Sequence, residues 1–440
     1  MATIFVSSGS GDNSNSGTSE GAPVATIFAA FRRASENDTI KILDSNTYQP
    51  GLDAHGGRMI LSESLSFVAA DGQTPIFAGT GARASSAVTK TGFSGVGMSP
   101  GETITFQGIT FDDFRTTDNT IVKTTTAGGG APTVQYTDCI FQNMNGSPIF
   151  VDPAPATSGT PNLLDRCEIR DGCNDKIIDS IVGSENMVIQ NCIFHNTASH
   201  TTQEYISMGD NATADTIIRN CTLLVDRVTG VEVVRMGVVE NIIIKNITTA
   251  SVSGGPQNVD TNLVGIDGRV SYSNNCVNGS FGSASGKGAI QDNTGAGATD
   301  GGGHITGSGS DPLFVDASSP TGRAGGLKLQ SGSPCIGTGK TIAAVTVDFD
   351  GTSRSAPYDI GAYQFISSDP FTSTDGTESF SRTLASDFTI RRTENKLSTR
   401  RFGVTRANRQ APYFITIPGP ANIRQRDTAY KVDAGNEGNG

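Results

Sequence analysis

Catalysis needs titratable side chains held close together, and in this chain of 440 residues they are sparse: four histidines, with charged residues making up 17%. The densest grouping runs Asp171, Asp175 and Lys176, then His195 and His200, then Asp210, Asp215 and Arg219. Neighbouring aspartates would serve as acid and base in glycoside hydrolysis. A lysine or histidine base beside an arginine would instead suit an elimination on a uronate, the cation neutralising the carboxylate while the base takes the proton. Solvated loop charges are the plainer account of the same residues, so no catalytic residue is assigned. His55 and His304 stand beside Gly-rich turns with no partner in view and read as surface residues. Gly295–Gly303 lacks the Lys-Ser/Thr pair of a phosphate loop, and no cofactor-binding or metal-binding residue is assigned.

Composition narrows the classes. With 54 glycines, 18 prolines and no tryptophan, the expectation is a turn-rich β protein rather than a coiled coil or a charged disordered chain. The net charge of −11 disfavours nucleic-acid binding through bulk charge. That charge is uneven: residues 367–440 carry a net +3 and residues 1–366 a net −14. No apolar run is long enough to span a membrane, and Met1–Ser8 has no basic region of a secretory leader, so synthesis in a cytosol is expected. Seven cysteines are an odd number for a disulfide framework, so free thiols are expected.

Residues 7–22 are Ser, Gly, Asn and Asp with little apolar content and read as a loop. Val24, Ile27, Phe28 and Phe31 then share one face of a helix that Pro23 opens and Asn37-Asp38 closes, before a strand over 39–43. Beyond that comes a repeat: ITFQGITF (104–111), VQYTDCIF (134–141), NLLDRCEI (162–169), MVIQNCIF (187–194), TIIRNCTL (216–223) and IIIKNITT (242–249), with VSYSNNCV (270–277) slipped by one. With Ile109, Cys139, Cys167, Cys192, Cys221 and Ile247 equivalent, the spacings are 30, 28, 25, 29 and 26. A period of that length with two or three strands per repeat predicts a parallel β-helix of wide coils.

Alternation along each strand then sets three inward columns. The first holds Phe106, Tyr136, Leu164, Ile189, Ile218, Ile244 and Tyr272; the second is the Ile/Cys set; the third holds Phe111, Phe141, Ile169, Phe194 and Leu223. Between the two runs sits Gly108, Asp138, Asn191, Asn220, Asn246 or Asn274, with Arg166 as the exception. Gly, Asn and Asp tolerate the left-handed backbone of a sharp bend, and stacked amides would bond from coil to coil. The column cysteines read as small buried hydrophobes, since in-register parallel rungs hold their β-carbons too far apart for a disulfide.

This strand–Asn–strand unit resembles the pectin-lyase-like right-handed parallel β-helix superfamily. The ending is similar to that of the choice-of-anchor Q β-helix proteins: Asp311-Pro312-Leu313-Phe314, Gly326-Leu327-Lys328-Leu329 through Ser333-Pro334-Cys335, and Asp348-Phe349-Asp350-Gly351 with Arg354 and Asp359-Ile360-Gly361-Ala362-Tyr363, departing at Gln364. The resemblance implies an all-β fold and no particular chemistry. Asp348, Asp350, Arg354 and Asp359 are expected to form an ion-paired lid over the last coil. The tandem-Asp, Gly-His-Gly and Arg-Ile-Lys signatures of polygalacturonase-like hydrolases, and the Asp-His and Arg-x-Pro-x-x-Arg patterns of pectate lyases, are missing. The expected organisation is a loop and capping helix over 1–38, a right-handed parallel β-helix over 39–366, and a β-rich appendage over 367–440 for docking or oligomerisation. The function expected from this is a structural phage virion protein (tailspike, fibre or capsid-decorating protein). It would be a homotrimer attached to other virion proteins through 367–440 and contacting a host-surface polysaccharide. The alternatives are a polysaccharide lyase and a bacterial cell-surface structural protein.

Overall fold

A strand that alternates apolar and polar residues buries one face, and stacking such strands in parallel buries that face continuously. The computed structural model describes residues 1–50, 59–78, 93–94, 98–99, 101–113, 121–123, 132–143, 149–151, 160–170, 176–180, 187–195, 204–207, 216–225, 237–246, 270–278, 299–306, 309–320 and 325–366, and the strands of a second unit. Met1–Phe365 forms one unit and Ile366–Gly440 another.

The first unit is a right-handed parallel β-helix. Among the described residues its first sheet has 11 strands, from Thr3–Val6 through Asp38–Ile42 and Thr103–Gln107 to Thr299–Asp300. The second has 9, from Thr47–Tyr48 to Cys276–Asn278. Two short sheets supply a third face, Met59–Ile60, Phe93–Ser94 and Val122–Lys123 in one, and Ile149–Val151, Lys176–Ser180 and Glu204–Ser207 in the other.

Strand register bears out the columns as far as Leu223. Phe67, Phe106, Tyr136, Leu164, Ile189 and Ile218 are successive partners on the first sheet. Phe77, Phe111, Phe141, Ile169, Phe194 and Leu223 are successive partners on the second. The rings interlock: Phe106 stacks on Phe67 and Tyr136 with centroids 5.2 and 5.3 Å apart, and meets Phe111 edge-on at 5.3 Å. Such pairs add about 0.5–1.5 kcal/mol each beyond area burial. The thiols of Cys139, Cys167, Cys192 and Cys221 are buried, as expected, and donate to the carbonyls of Thr137, Asp165, Gln190 and Arg219. Each of those carbonyls also accepts the bend N–H of the preceding coil, so the thiol uses its second lone pair. Burial pushes the Cys139 and Cys192 thiols well above their ordinary range.

The next coil is shifted from its predicted register. Val239, not Ile244, follows Ile218 in the first column, and Ile244 pairs with Leu223 in the third. Asn241 makes the bend with φ 55°, whereas Asn246 ends the strand Ile243–Asn246. Ile242 fills the second column, and Ile247 lies outside the described residues. In an apolar run holding two asparagines, periodicity does not say which one bends; contacts with Lys340, described below, settle it. The final segment is in register rather than slipped: Tyr272 follows Val239, Asn274 bends with φ 51°, and Asn275 takes the second-column place.

Two expectations at the ends need correction. The helix is shorter than predicted, Ile27–Phe31, capped by Thr26, whose hydroxyl accepts from Ala29 N at 3.1 Å. Val24 is instead bridged to Val6. The residues expected to form an ion-paired lid over the last coil lie elsewhere: residues 311–320 and 325–365 are a strap along the outer face of the second sheet, within which Asp350 pairs with Lys328 at 2.6 Å. Its Phe314, Leu327, Leu329, Cys335, Phe349, Ile360, Ala362 and Tyr363 pack on outward-facing Ile193, Leu224, Ile243 and Cys276. Gly361 comes so close that an added Cβ would sit 2.6 Å from Ile243 Cδ1, and its φ of 104° suits glycine. Among the described residues no strand of the strap joins either sheet; polar contacts at the bend hold it. Gly361 N donates to Asn241 O at 2.8 Å, Asn241 exchanges amide hydrogen bonds with Lys340 at 2.7 Å, and Lys340 pairs with Glu240 at 2.7 Å.

In the second unit, Ser381–Leu384, Phe388–Glu394 and Arg400–Arg406 form an antiparallel sheet, and Phe414–Ile415 pairs with Tyr430–Lys431.

Candidate functional site

Strands Glu168–Arg170 and Ile193–His195 are neighbours in the second sheet, with Glu168 opposite Ile193 and Arg170 opposite His195. Ile169 and Phe194 point into the tube, so alternation turns Glu168, Arg170 and His195 outward. His195 Nε2 lies 2.8 Å from Glu168 Oε1, and Arg170 NH1 lies 3.5 Å from the same oxygen. Arg170 is further steadied by Gln142 of the preceding coil, whose Oε1 accepts from Nε at 3.0 Å and NH2 at 2.6 Å. The His195 and Glu168 side chains are 0% and 3% exposed, while Arg170 is 24% exposed.

The carboxylate selects the imidazole tautomer with the proton on Nε2, leaving Nδ1 unprotonated with its lone pair. Nδ1 is buried and has no hydrogen-bond partner among the described residues. A base oriented by a carboxylate, with a guanidinium beside it, is an arrangement suited to proton abstraction next to an acidic group.

The predicted cluster is dispersed. Lys176 opens a strand of the third face, His195 belongs to the second sheet, and Arg219 lies on the first, where it donates to Gln190 Oε1 at 3.1 and 2.8 Å. Asp171, Asp175, His200, Asp210, Asp215 and His55 lie outside the described residues, as does Gly295–Ala298 of the glycine stretch. His304 has partners after all: its Nε2 meets Asp300 Oδ1 at 2.9 Å, its Nδ1 accepts from Asn275 N at 3.2 Å, and its ring lies on Tyr272. Glu168, Arg170 and Gln142 were missed in sequence. Their signal was available, because each flanks a third-column residue and so faces outward.

A second polar group runs along the bend. Arg166, the exception in residue type, has the same left-handed backbone as its neighbours, φ 53°. Its guanidinium grips Asp138 through two bonds of 3.0 and 2.9 Å and meets Asp165 at 2.7 Å. The Asp138 hydrogen bonds raise its pKa further. Asn191 donates to Asp165 at 3.1 Å and accepts from Arg354 of the strap at 3.0 Å. The expected ladder of amides bonding to one another is therefore replaced by bonds to carboxylates and to the strap, and the Asn220 amide has no partner among the described residues. Arg354 also donates to the carbonyls of Gly361 and Ala362, and burial lowers its pKa to about 10. Asp348 and Asp359 accept backbone N–H groups, from Asp350, Thr352 and Gln364, and from Gly337 and Phe365. Charged side chains here build turns and fasten the strap.

No family model and no curated protein matches the chain. Among solved structures it is similar to pectate lyase Pel9A, with TM-score 0.46 and 16% identity over 83% of this chain and 96% of that one. A rhamnogalacturonan lyase gives TM-score 0.43 and 13% identity over 75% and 97%. A GH136 lacto-N-biosidase from Eubacterium ramulus gives 0.32 and 10% over 63% and 51%. No helix is long and apolar enough to cross a membrane among the described residues.

Proposed function

We propose that this chain is a glycan-degrading β-helix enzyme of the elimination type, acting through Glu168, Arg170 and His195. The observation that carries the reading is His195, held by Glu168 through Nε2 with Nδ1 unpaired among the described residues, one rung from Arg170. Arg170 would bind the carboxylate of a uronate and stabilise the charge that develops when the adjacent carbon loses its proton. His195 Nδ1, buried in this structure, takes that proton once a local opening brings it within reach of the sugar. The electron pair left behind forms the ring double bond as the glycosidic oxygen departs, and a proton completes the leaving alcohol. No cofactor is needed for the balance. Incubation with a panel of uronate polysaccharides should release unsaturated products. His195→Gln should abolish them while leaving the thermal midpoint within a few degrees, and Arg170→Lys should lower kcat as well as raise KM. A folded wild-type protein inactive on the whole panel, or an undiminished His195→Gln variant, refutes the proposal.

A second reading, a virion surface protein attached through residues 367–440, is favoured by the separate second unit with Arg391, Arg392, Arg400, Arg401 and Arg406 on adjoining antiparallel strands. In that reading the β-helix projects toward a host-surface polysaccharide, and a threefold native mass is expected.

A further inference from the structure

Six of the seven cysteines lie among the described residues, and two of them stand apart from the column inside the tube. In the last coil Asn275 takes the second-column place, with its amide bonded to Val239 O and Ile242 N. That displaces Cys276 to an outward position, on the face the strap covers. Cys335 is in the strap, its carbonyl accepting from Ile360 N at 3.0 Å. Both are 0% exposed and sit in the same apolar cluster. The Cys335 sulfur is the neighbour that most strongly pushes the Cys276 thiol up, and Cys276 Sγ donates to Ser310 O at 3.1 Å.

The column thiols are also neighbours, but they occupy in-register parallel rungs, whose spacing holds β-carbons apart and poorly aimed for a disulfide. Cys276 and Cys335 are free of that restriction, because one is on a coil and the other on the strap packed against it, not on the next in-register rung. We infer that Cys276 and Cys335 form a redox clasp, a disulfide that locks the strap onto the last coil when a small disulfide of the glutathione class is the oxidant. One protein thiolate attacks the oxidant and expels one small thiol, leaving a mixed disulfide; the second protein thiolate attacks that bond and expels the other. The two protein sulfurs lose two electrons and two protons, and the oxidant is reduced to two thiols. With the strap shut, the neighbouring sulfur and burial keep the Cys276 thiol protonated, so reaction requires the strap to lift.

The test uses the full chain, purified reduced and then incubated with oxidised glutathione. Non-reducing digestion and mass spectrometry should find the Cys276 peptide joined to the Cys335 peptide, two hydrogens lighter than the reduced pair. The oxidised protein should unfold at higher denaturant than the reduced one and resist proteolysis within 311–365; Cys335→Ser should abolish both differences. Cys276 and Cys335 recovered only as alkylated thiols, or joined to other cysteines, would overturn the inference. The direct mapping needs no variant, so a poorly folding Cys335→Ser protein leaves the test intact.

Discussion

Asn191 ties three things together: the left-handed bend, the carboxylate ladder and the strap. Replacing it by alanine removes the bond to Asp165 and the bond from Arg354, both within buried surroundings. Asp165 keeps Arg166 and Arg354 keeps the carbonyls of Gly361 and Ala362, so what is lost is two bonds to charged groups at about 1.5–3 kcal/mol each, about 3–6 kcal/mol together. Alanine must also hold φ near 53°, which a β-carbon penalises by about 1–2 kcal/mol. Glycine loses the same bonds without that strain, but its unfolded chain is freer, worth about 0.5–1 kcal/mol the other way. Asn191→Gly is therefore expected to be destabilised less than Asn191→Ala, by about 0.5–1 kcal/mol, with both well below wild type. Guanidinium unfolding followed by circular dichroism gives the two differences, and protease sensitivity of 311–365 reports whether the strap loosens. If glycine is as damaging as alanine, the backbone argument fails. If both cost less than about 1 kcal/mol, the buried partnership with Asp165 and Arg354 is wrong.

Further outcomes follow from the same contacts. Phe106→Ala empties the centre of the aromatic column and should cost about 3–5 kcal/mol in unfolding free energy, whereas Phe106→Leu, which keeps most of the apolar volume, should cost much less; equal losses would argue against cavity formation as the main cost. The N–H groups of Ala2 and Ser35 hold the Asp38 carboxylate below its ordinary range. That stabilisation is in place above a pH of about 3.9 and is lost as pH falls through the lowered value. Hydrogen-exchange protection factors over Thr3–Val6, taken relative to the intrinsic rate at each pH, should fall on acidification, and Asp38→Asn should flatten the response. A chain ending at Phe365 should keep the β-helix and its unfolding transition but lose any native-mass oligomer; unchanged assembly would remove the docking role from 366–440.

The architecture was legible because its cause is local and repeated. An apolar residue at alternate positions and Gly, Asn or Asp at the bend recur every coil, and the inward columns from Phe106 to Leu223 follow from that alone. The repeat failed where it became ambiguous, in the apolar run around Asn241 and Asn246. There the choice rests on Ser273 and Lys340, which are distant in sequence. The candidate site was half legible: His195 stood out by type, but Glu168 and Arg170 acquire meaning only once the coils are stacked and outward positions in adjacent rungs meet.

Sequence by itself determined that this protein is a tube, since periodic burial needs no knowledge of distant contacts. Tertiary structure alone decided where the ending goes. Asp348, Arg354 and Asp359 read as a lid because a polar cluster near a terminus says nothing about which surface it meets. Arg354 instead reaches Asn191, 163 residues away, and the strap covers outward-facing Ile193, Leu224 and Ile243. Those apolar residues break the polar-out rule of an exposed face, and burying them requires a partner that no local pattern names.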